Sequence, residues 1–346
     1  MNTSNRRTFL KSALAGGMAA AWGMPGARAA LGASETSAGP GSSRVALMTG
    51  GNRMENIFNA LQPFSVEIKK AVGDRPVVIK PNNVSINIPL CASHADCLAG
   101  ILEFLKSIGR TDKICIAESA ANGPTLEGFH NYGYFDLKKK YTVDLVDLDD
   151  QPVDTVYTLS DEDFRPHAVR MSRRLLDPES FVISAAVMKT HDLVVATLSL
   201  KNIVFGAPIK DKDSRGGRGG RSDKRINHGG GIKGVNYSLF THAPRLGPEL
   251  AVIDGFEGME GYGPTRGTPV DHKVAVASLD WLAADRTAVE LMGIDFADIG
   301  YLNYCAQAGL GQADLSKIEI IGERVQDLVK KYKLADNFQE QMIWKA

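Results

Sequence analysis

The sequence predicts an α/β fold in which a mostly parallel sheet is flanked by helices, with a long Gly/Arg-rich loop in the second half of the chain. Short apolar runs rich in β-branched residues lack strict polar–apolar alternation, as expected for strands buried on both faces. Amphipathic segments with helical spacing lie between these runs. Strand and helix signals that alternate in this way are typical of a parallel sheet covered by helices.

The predicted elements follow from these patterns in chain order. The apolar runs with strand length lie at residues 45–48, 77–79, 114–117, 143–146, 181–187, 250–253 and 274–277. Apolar residues at i, i+3, i+4 spacing predict helices at residues 94–108 and 281–292. Residues 192–203 can also form a helix, which would place Thr197 and Lys201 on one face.

Residues 206–234 show neither the strand pattern nor the helix pattern described above. The segment contains nine glycines, eight basic residues and three acidic residues, and almost nothing that could be buried. Loops of this length without secondary structure are uncommon and usually serve as lids, binding loops or disordered insertions. We therefore expect a long mobile loop.

The N-terminal 29 residues have the layout of a twin-arginine export signal. Arg6 and Arg7 precede an apolar pair and a lysine, and an Ala- and Gly-rich stretch follows. The stretch is too short and too weakly apolar for a stable membrane span. Ala27 and Ala29 are small residues at the spacing that usually precedes cleavage of a signal peptide. The sequence therefore predicts the twin-arginine export machinery as a partner and a periplasmic or otherwise exported mature protein.

Beyond the signal, the sequence predicts a flexible linker at residues 30–43 and a single α/β domain at residues 44–346. Removing residues 1–29 takes away four basic residues and no acid, so that 40 basic against 40 acidic residues become 36 against 40. A mildly acidic protein does not predict binding to nucleic acid. RNA binding by the Arg-Gly repeat at residues 215–221 stays an alternative that export and this charge disfavour.

Four cysteines are present, and none forms a CxxC motif. In an oxidising compartment Cys91 and Cys97 could pair, but the spacing does not predict a disulfide framework. An iron–sulfur cluster needs four well-placed thiolates, and Cys115 lies within a predicted strand. The sequence therefore does not predict a cluster bound by this chain alone.

Polar residues follow four of the predicted strands at the point where each strand ends. In a parallel sheet these positions share the carboxyl edge, where ligands bind. Each residue alone could be a solvated strand end or a helix cap. Together they predict a site, and the charged members are Lys80, Glu118, Lys189, His191, Asp254 and Glu257.

Lys189-Thr190-His191 is the sharpest local feature. A lysine and a histidine two residues apart on a strand point to the same side, which suits anion binding, covalent attachment through the lysine, or metal ligation and proton transfer through the histidine. The alternative is a structural pair packed under the glycine-rich loop. We take His191, Lys189 and Glu118 as the candidate catalytic residues.

The remaining candidate residues fall into two groups. Residues suited to an anionic substrate are Lys80, Asn82, His94, Lys201 and Asn202, with His94 next to the natural N-cap residue Ser93 at a helix start. Asp254, Glu257 and Glu260 place three carboxylates within seven residues, which suits a divalent metal or an acid–base pair. The cofactor itself is not identified by the sequence.

Motifs of the commonest enzyme classes are absent from the sequence. We find no GxxxxGK[ST] phosphate loop, GxSxG elbow, HExxH zinc helix or GxGxxG after a predicted strand. The sequence therefore does not assign a reaction.

An ordered series of short motifs between residues 45 and 293 resembles the domain of unknown function 362 family. Members often carry a ferredoxin-like iron–sulfur module, whose cysteine cluster is not found in this sequence, and the family name implies no established reaction. The motifs are Lys80-Pro81-Asn82, His94, Glu118, Lys189-Thr190-His191, Thr197 to Asn202, Gly206, Asp254-Gly255, Gly258 to Gly261, Gly263-Pro264, Ala277 to Asp280, Ala284-Asp285 and Leu291 to Gly293.

Two functional interpretations stay open at this point. The first is an exported enzyme that uses a metal or another cofactor on a small anionic substrate, with residues 206–234 as a lid. The second is a non-catalytic protein that holds an anionic ligand or a redox partner in the same cleft.

Overall fold

The computed structural model describes residues 41–159, 163–212 and 220–346. The predicted export signal and most of the predicted linker lie outside these residues, as does the centre of the Gly/Arg-rich segment. Strands β1 to β11 are Ser43–Thr49, Val77–Lys80, Ile114–Glu118, Asp144–Asp147, Val153–Leu159, Pro166–Ser172, Phe181–His191, Val195–Thr197, Leu250–Tyr262, Arg266–Ser278 and Ile318–Gly322.

Helices cover the sheet and connect its strands. Helices α1 to α13 are Arg53–Leu61, Ser65–Val72, Ala95–Ser107, Thr125–Asn131, Tyr134–Leu137, Arg173–Leu176, Ser199–Val204, Asp223–Asn227, Gly231–Leu246, Trp281–Leu291, Gly300–Gln307, Val325–Leu328 and Phe338–Gln341. Short 3₁₀ helices lie at Gln62–Phe64, Pro89–Cys91, Leu148–Asp150, Phe296–Asp298, Leu315–Lys317 and Met342–Lys345. In the part of the chain described, no helix is long and apolar enough to cross a membrane.

The main sheet has nine strands in the order β11-β1-β10-β9-β7-β2-β3-β4, with β8 paired to the end of β7. The pairs β11/β1, β9/β7, β7/β2, β2/β3 and β3/β4 are parallel. Strand β10 is antiparallel to both of its neighbours, and β5 and β6 form a separate hairpin. The predicted mostly parallel sheet flanked by helices is confirmed.

The sheet separates two hydrophobic cores. Val45 and Leu47 of β1 pack into one core, whereas Ala46 between them packs into the other. Side chains on a strand alternate between its faces, so a strand buried on both faces needs apolar residues at successive positions. This requirement explains why the strand runs in the sequence lack alternation.

Strands β7, β9 and β10 are each at least four residues longer than predicted. Strand β7 continues to His191, and β9 and β10 form a long antiparallel pair that runs from the sheet to Tyr262 and Arg266. In the extended part, the backbone groups of β9 and β10 form hydrogen bonds with each other. This pairing stabilises both strands there, although the local amino-acid composition does not predict a strand.

The predicted helix at residues 192–203 is wrong in its first half. The chain turns after His191 and returns as β8, antiparallel to the end of β7, and only then begins α7 at Ser199. Val194, Val195 and Thr197 are β-branched, and such residues favour extended backbone over helix.

The Gly/Arg-rich loop is shorter than predicted. Helix α8 and the first residues of α9 lie within residues 206–234. Asp223 is fully buried because it accepts hydrogen bonds from Arg170 and Arg221. Lys224 is also buried, since its ammonium group donates to backbone carbonyl oxygens. The expectation from the sequence that nothing in this segment could be buried overlooked such partnered charges.

The four cysteines are all buried and free. Cys91 and Cys97 are therefore not joined in this structure.

Candidate functional site

Strands β9, β7, β2 and β3 are neighbours in the sheet and run parallel to one another. Their carboxyl ends consequently meet at one edge, which is where parallel sheets bind ligands. Lys80 is the last residue of β2, Glu118 the last of β3 and His191 the last of β7. The structure thus brings these three predicted site residues to the same edge.

A cavity of about 500 Å³, including its opening to solvent, lies at this edge. The walls come from the strand ends, from α7 and from the segment that leads into α8. The titratable groups that line the cavity are Lys80, Glu118, His191, Lys201, Lys224 and His228.

Lys80 and Glu118 form a buried ion pair at the floor of the cavity, with side chains only 1% and 2% exposed. Lys80 Nζ donates to Glu118 Oε2 at 2.8 Å, to the Pro81 carbonyl at 2.8 Å and to Asn202 Oδ1 at 3.2 Å. Glu118 also accepts the backbone N–H groups of Asn83 and Ser119. All three ammonium hydrogens of Lys80 are therefore used within the protein.

Asn82 and Asn202 connect this pair to Lys189. Asn82 Nδ2 donates to Asn202 Oδ1 at 3.1 Å, and Asn202 Nδ2 donates to Ser184 Oγ at 3.0 Å. Lys189 Nζ donates to Asn82 Oδ1 and, at 3.4 Å, to the Cys91 carbonyl. Lys189 is fully buried behind the cavity wall, so its role in this structure is to orient Asn82.

Lys224 enters the cavity from the segment that was expected to be a mobile loop. Its ammonium group donates to the carbonyls of Gly206 at 3.1 Å and Pro208 at 2.6 Å. Gly206 itself lies so close to Lys80 that a Cβ atom there would overlap the lysine side chain. Close packing of this segment against β2 explains why glycine occupies position 206.

Three residues of the cavity wall each carry a hydrogen-bond donor that has no acceptor among the described residues. Thr197 Oγ1 and Asn83 Nδ2 are inaccessible and make no hydrogen bond. Lys201 Nζ, in a residue that is 6% exposed, likewise makes no hydrogen bond or ion pair there. The Lys201 ammonium instead lies 4.9 Å from the centre of the Phe205 ring. Buried polar groups normally find partners, so these unpartnered donors make the cavity a candidate site for a ligand.

Burial lowers the pKa values of the lysines and of the histidine His191 at this site. Burial, with a smaller contribution from the charge of Lys189, lowers the pKa of Lys201 to about 7. Burial likewise lowers the pKa of Lys189 and that of Lys224 to about 8. The pKa of His191 lies well below its usual value, again because of burial, so this imidazole is neutral at pH 7. An incoming negative charge would stabilise the charged form of each lysine.

His191 has a defined tautomer. Its Nδ1 accepts the backbone N–H of Leu193 at 3.0 Å. Since a neutral imidazole carries one proton, that proton is on Nε2. His191 can therefore donate one hydrogen bond to a ligand in the cavity.

The other predicted residues do not line the cavity. His94, rather than Ser93, caps helix α3, because its Nδ1 accepts the Asp96 N–H. Asp254 is buried beside Arg53, with Oδ2 3.2 Å from Arg53 Nε. Glu260 accepts the Lys333 N–H at 2.8 Å.

The predicted metal ligands receive no support from this geometry. Across residues 41–159, 163–212 and 220–346, no group of three or more His, Cys, Asp or Glu side chains is placed to hold a metal ion. The set of Asp254, Glu257 and Glu260 therefore stays a prediction from the sequence alone.

Sequence reasoning missed Lys224, His228, Asn83 and Phe205 as cavity residues. Lys224 and His228 lie in the Gly/Arg-rich segment, and a lysine and a histidine four residues apart in a segment proposed as a lid were a usable signal. Nothing local marks Asn83 or Phe205, whose positions depend on how α7 packs against β2.

Comparison with known proteins places this geometry in a family. The model of the domain of unknown function DUF362 matches residues 77–290, which include every residue of the cavity wall. The thylakoid-associated protein sll1697 of Synechocystis sp. (strain ATCC 27184 / PCC 6803 / Kazusa) is 27% identical over 241 residues, which cover 69% of this chain and 68% of that protein.

Proposed function

We propose, starting from the fact that this chain belongs to the DUF362 family, that it binds a small oxygen-rich anion in the cavity at the carboxyl edge of the sheet. The observation that carries this proposal is that the ammonium group of Lys201, a lining residue, has no hydrogen-bond or ion-pair partner in the described structure. Two other lining residues, Thr197 and Asn83, each have a buried polar atom without a partner there. Carboxylate, phosphate and similar groups offer several acceptor oxygens, which is what such a set requires.

Electrostatics support the same conclusion. Lys80, Lys201 and Lys224 line the cavity, and Lys189 lies behind it, whereas Glu118 is the one acidic lining residue within the described chain. A buried cation without a counterion is costly. An anionic ligand would lower that cost and would satisfy the orphan donors at the same time.

We further propose that the chain is an enzyme acting on this anion, with Lys201 as the reactive group and His191 as a hydrogen-bond donor. The support for a reaction is that one lysine of the cavity is left free to react. Lys80, Lys189 and Lys224 are held by hydrogen bonds within the protein, and Lys201 is not in the described structure. Lys189 and Glu118, the other candidate catalytic residues, support the cavity rather than contact the ligand in this proposal.

Sulfate binding tests the anion site because sulfate does not titrate between pH 6 and 9. We expect the purified chain to bind sulfate in isothermal titration calorimetry, with an affinity that falls as the pH rises from 7 to 9. The sign follows from Lys201, whose pKa of about 7 means that it loses its charge over this range, and bound sulfate favours the charged form. Lys189 and Lys224 change in the same direction. An affinity that is constant or rises over this range contradicts the proposal.

We also propose that the protein is exported through the twin-arginine route into the periplasm. The support is the sequence of residues 5–11, Asn-Arg-Arg-Thr-Phe-Leu-Lys, ahead of an Ala- and Gly-rich stretch. Replacing both Arg6 and Arg7 with lysine preserves the charge but removes the arginine pair. We expect this variant to accumulate uncleaved in the cytoplasmic fraction, whereas equal export of the two forms would exclude the route.

A further inference from the structure

We infer that the anion bound in this cavity also carries an aldehyde or ketone group, and that Lys201 Nζ forms an imine with that carbonyl carbon. The inference rests on the proposed function, because it concerns the same cavity and names the substrate class. The substrate would be a small oxo acid or a phosphorylated carbonyl compound.

The buried lysines around the site differ in what holds their amino groups. Lys80 is held by a carboxylate, Lys189 by an amide oxygen and Lys224 by two backbone carbonyls. Each of these lysines donates at least two hydrogen bonds within the protein. Lys201 alone among the cavity's lysines faces the ligand space without such a partner in the described structure. A nucleophilic amine needs this freedom, whereas a lysine that serves only as a fixed charge does not.

The backbone that carries the Lys201 amine is held in place. All six residues of α7 are buried, so this helix cannot move without disrupting the core. Asp285 fixes the start of the helix, because its two carboxylate oxygens accept the N–H groups of Ser199 and Leu200 at 2.8 and 3.2 Å. The Lys201 side chain is thus mobile only at its cavity end.

The surroundings of the amine favour its neutral form. Burial and the charge of Lys189 lower the pKa of Lys201 and outweigh the opposing effect of Asp192. The Phe205 ring, whose centre lies 4.9 Å from Lys201 Nζ, also favours the charged form. The other titratable neighbours are His191 and His228. Both imidazoles are neutral at pH 7, since burial lowers the pKa of His228 to about 4 and that of His191 well below its usual range. With a pKa of about 7, roughly half of the Lys201 side chains are neutral at that pH, and the neutral amine is the nucleophile.

The proposed step needs no oxidant, reductant or cofactor. The amine lone pair attacks the carbonyl carbon, and the C=O π electrons move to oxygen as the C–N bond forms. Transfer of a proton from nitrogen to oxygen gives a carbinolamine. A proton from solvent then converts the hydroxyl group into water, which the nitrogen lone pair expels, and the resulting iminium ion returns its N–H proton to solvent to leave the imine. The Nε2–H of His191 is available to hydrogen-bond the oxygen while it carries negative charge.

Trapping with glyoxylate tests the inference. Glyoxylate is the smallest oxo acid, and sodium cyanoborohydride reduces its imine with lysine to a stable N-carboxymethyl group. The mature chain would be incubated at pH 7 with both reagents, digested and mapped by mass spectrometry. We expect Lys201 to be modified at least tenfold faster than exposed lysines such as Lys138, and we expect sulfate to slow the reaction at Lys201 only.

Lys201→Arg is the matched variant, because arginine keeps the positive charge but cannot form an imine under these conditions. We expect it to lose the fast modification at position 201 while Lys138 reacts at the same rate as in the wild-type chain. The inference is overturned if Lys201 reacts no faster than Lys138 in a wild-type chain that binds sulfate, and the anion site would then still stand. If the wild-type chain binds no sulfate and Lys201 is not modified, both the inference and the proposed function are wrong.

Discussion

Replacing Glu118 with glutamine is expected to destabilise the protein by about 3–5 kcal/mol, the usual cost of removing one partner of a buried ion pair. The variant leaves Lys80, which is 1% exposed, without a counterion. In the wild type the Glu118 carboxylate accepts the N–H groups of Asn83 and Ser119. In the variant the NH₂ group of the glutamine replaces one of these acceptor oxygens and faces another donor. The free energy of unfolding from urea denaturation followed by circular dichroism measures the effect.

Two further variants separate the ion pair from a general effect of the substitution. Glu323→Gln makes the same chemical change at an exposed position and should alter stability by less than about 0.5 kcal/mol. In the double variant Lys80→Met/Glu118→Gln the unpaired charge is gone, so its loss of stability should be smaller than the sum of the single losses. A Glu118→Gln variant as stable as the wild type would show that this pair does not organise the cavity floor.

Replacing Lys201 with methionine is expected to weaken sulfate binding by about 10- to 100-fold. The estimate follows from about 1.5–3 kcal/mol for a hydrogen bond to a charged group and 1.4 kcal/mol for each factor of ten in affinity. Methionine retains most of the side-chain volume. Titration calorimetry at pH 6.5, where Lys201 is mostly charged, gives the largest difference between the two chains.

The same variant should be at least as stable as the wild type when no anion is present, because it removes a buried charge without a partner. The opposite signs of the two effects distinguish a ligand-binding lysine from a structural one. Lys138→Met, at an exposed position, serves as the control and should change neither quantity. Unchanged sulfate affinity, or a marked loss of stability, in the Lys201→Met chain would contradict the proposed role.

The sheet could be predicted from the sequence because its strands are buried on both faces. Continuous apolar runs as short as residues 77–79 and 114–117 suit a strand at the centre of a sheet, and both are strands at the predicted positions. The extensions of β9 and β10 could not be predicted, since they depend on pairing with each other. The same limit applies to β8, which exists because the end of β7 is available to pair with it.

The site could be predicted only in part. Because Lys80, Glu118 and His191 follow predicted parallel strands, the sequence predicted that they lie at one edge of the sheet, and each is the last residue of its strand. Position along a strand does not reveal partners across the cavity, so the sequence could not show that Lys80 is neutralised by Glu118. Nor could it show that Lys201 is left without a partner in the described structure, which is the feature on which the proposed chemistry depends.

Anomalous X-ray diffraction from crystals soaked in selenate tests the anion site most directly, because selenate resembles sulfate and its selenium is located without bias. We expect a selenium peak inside the cavity, with a selenate oxygen within about 3 Å of Lys201 Nζ. The same soak of Lys201→Met crystals should lose this peak. Selenium peaks confined to the protein surface, with none in the cavity of the wild-type chain, would contradict the claim that this edge of the sheet binds anions.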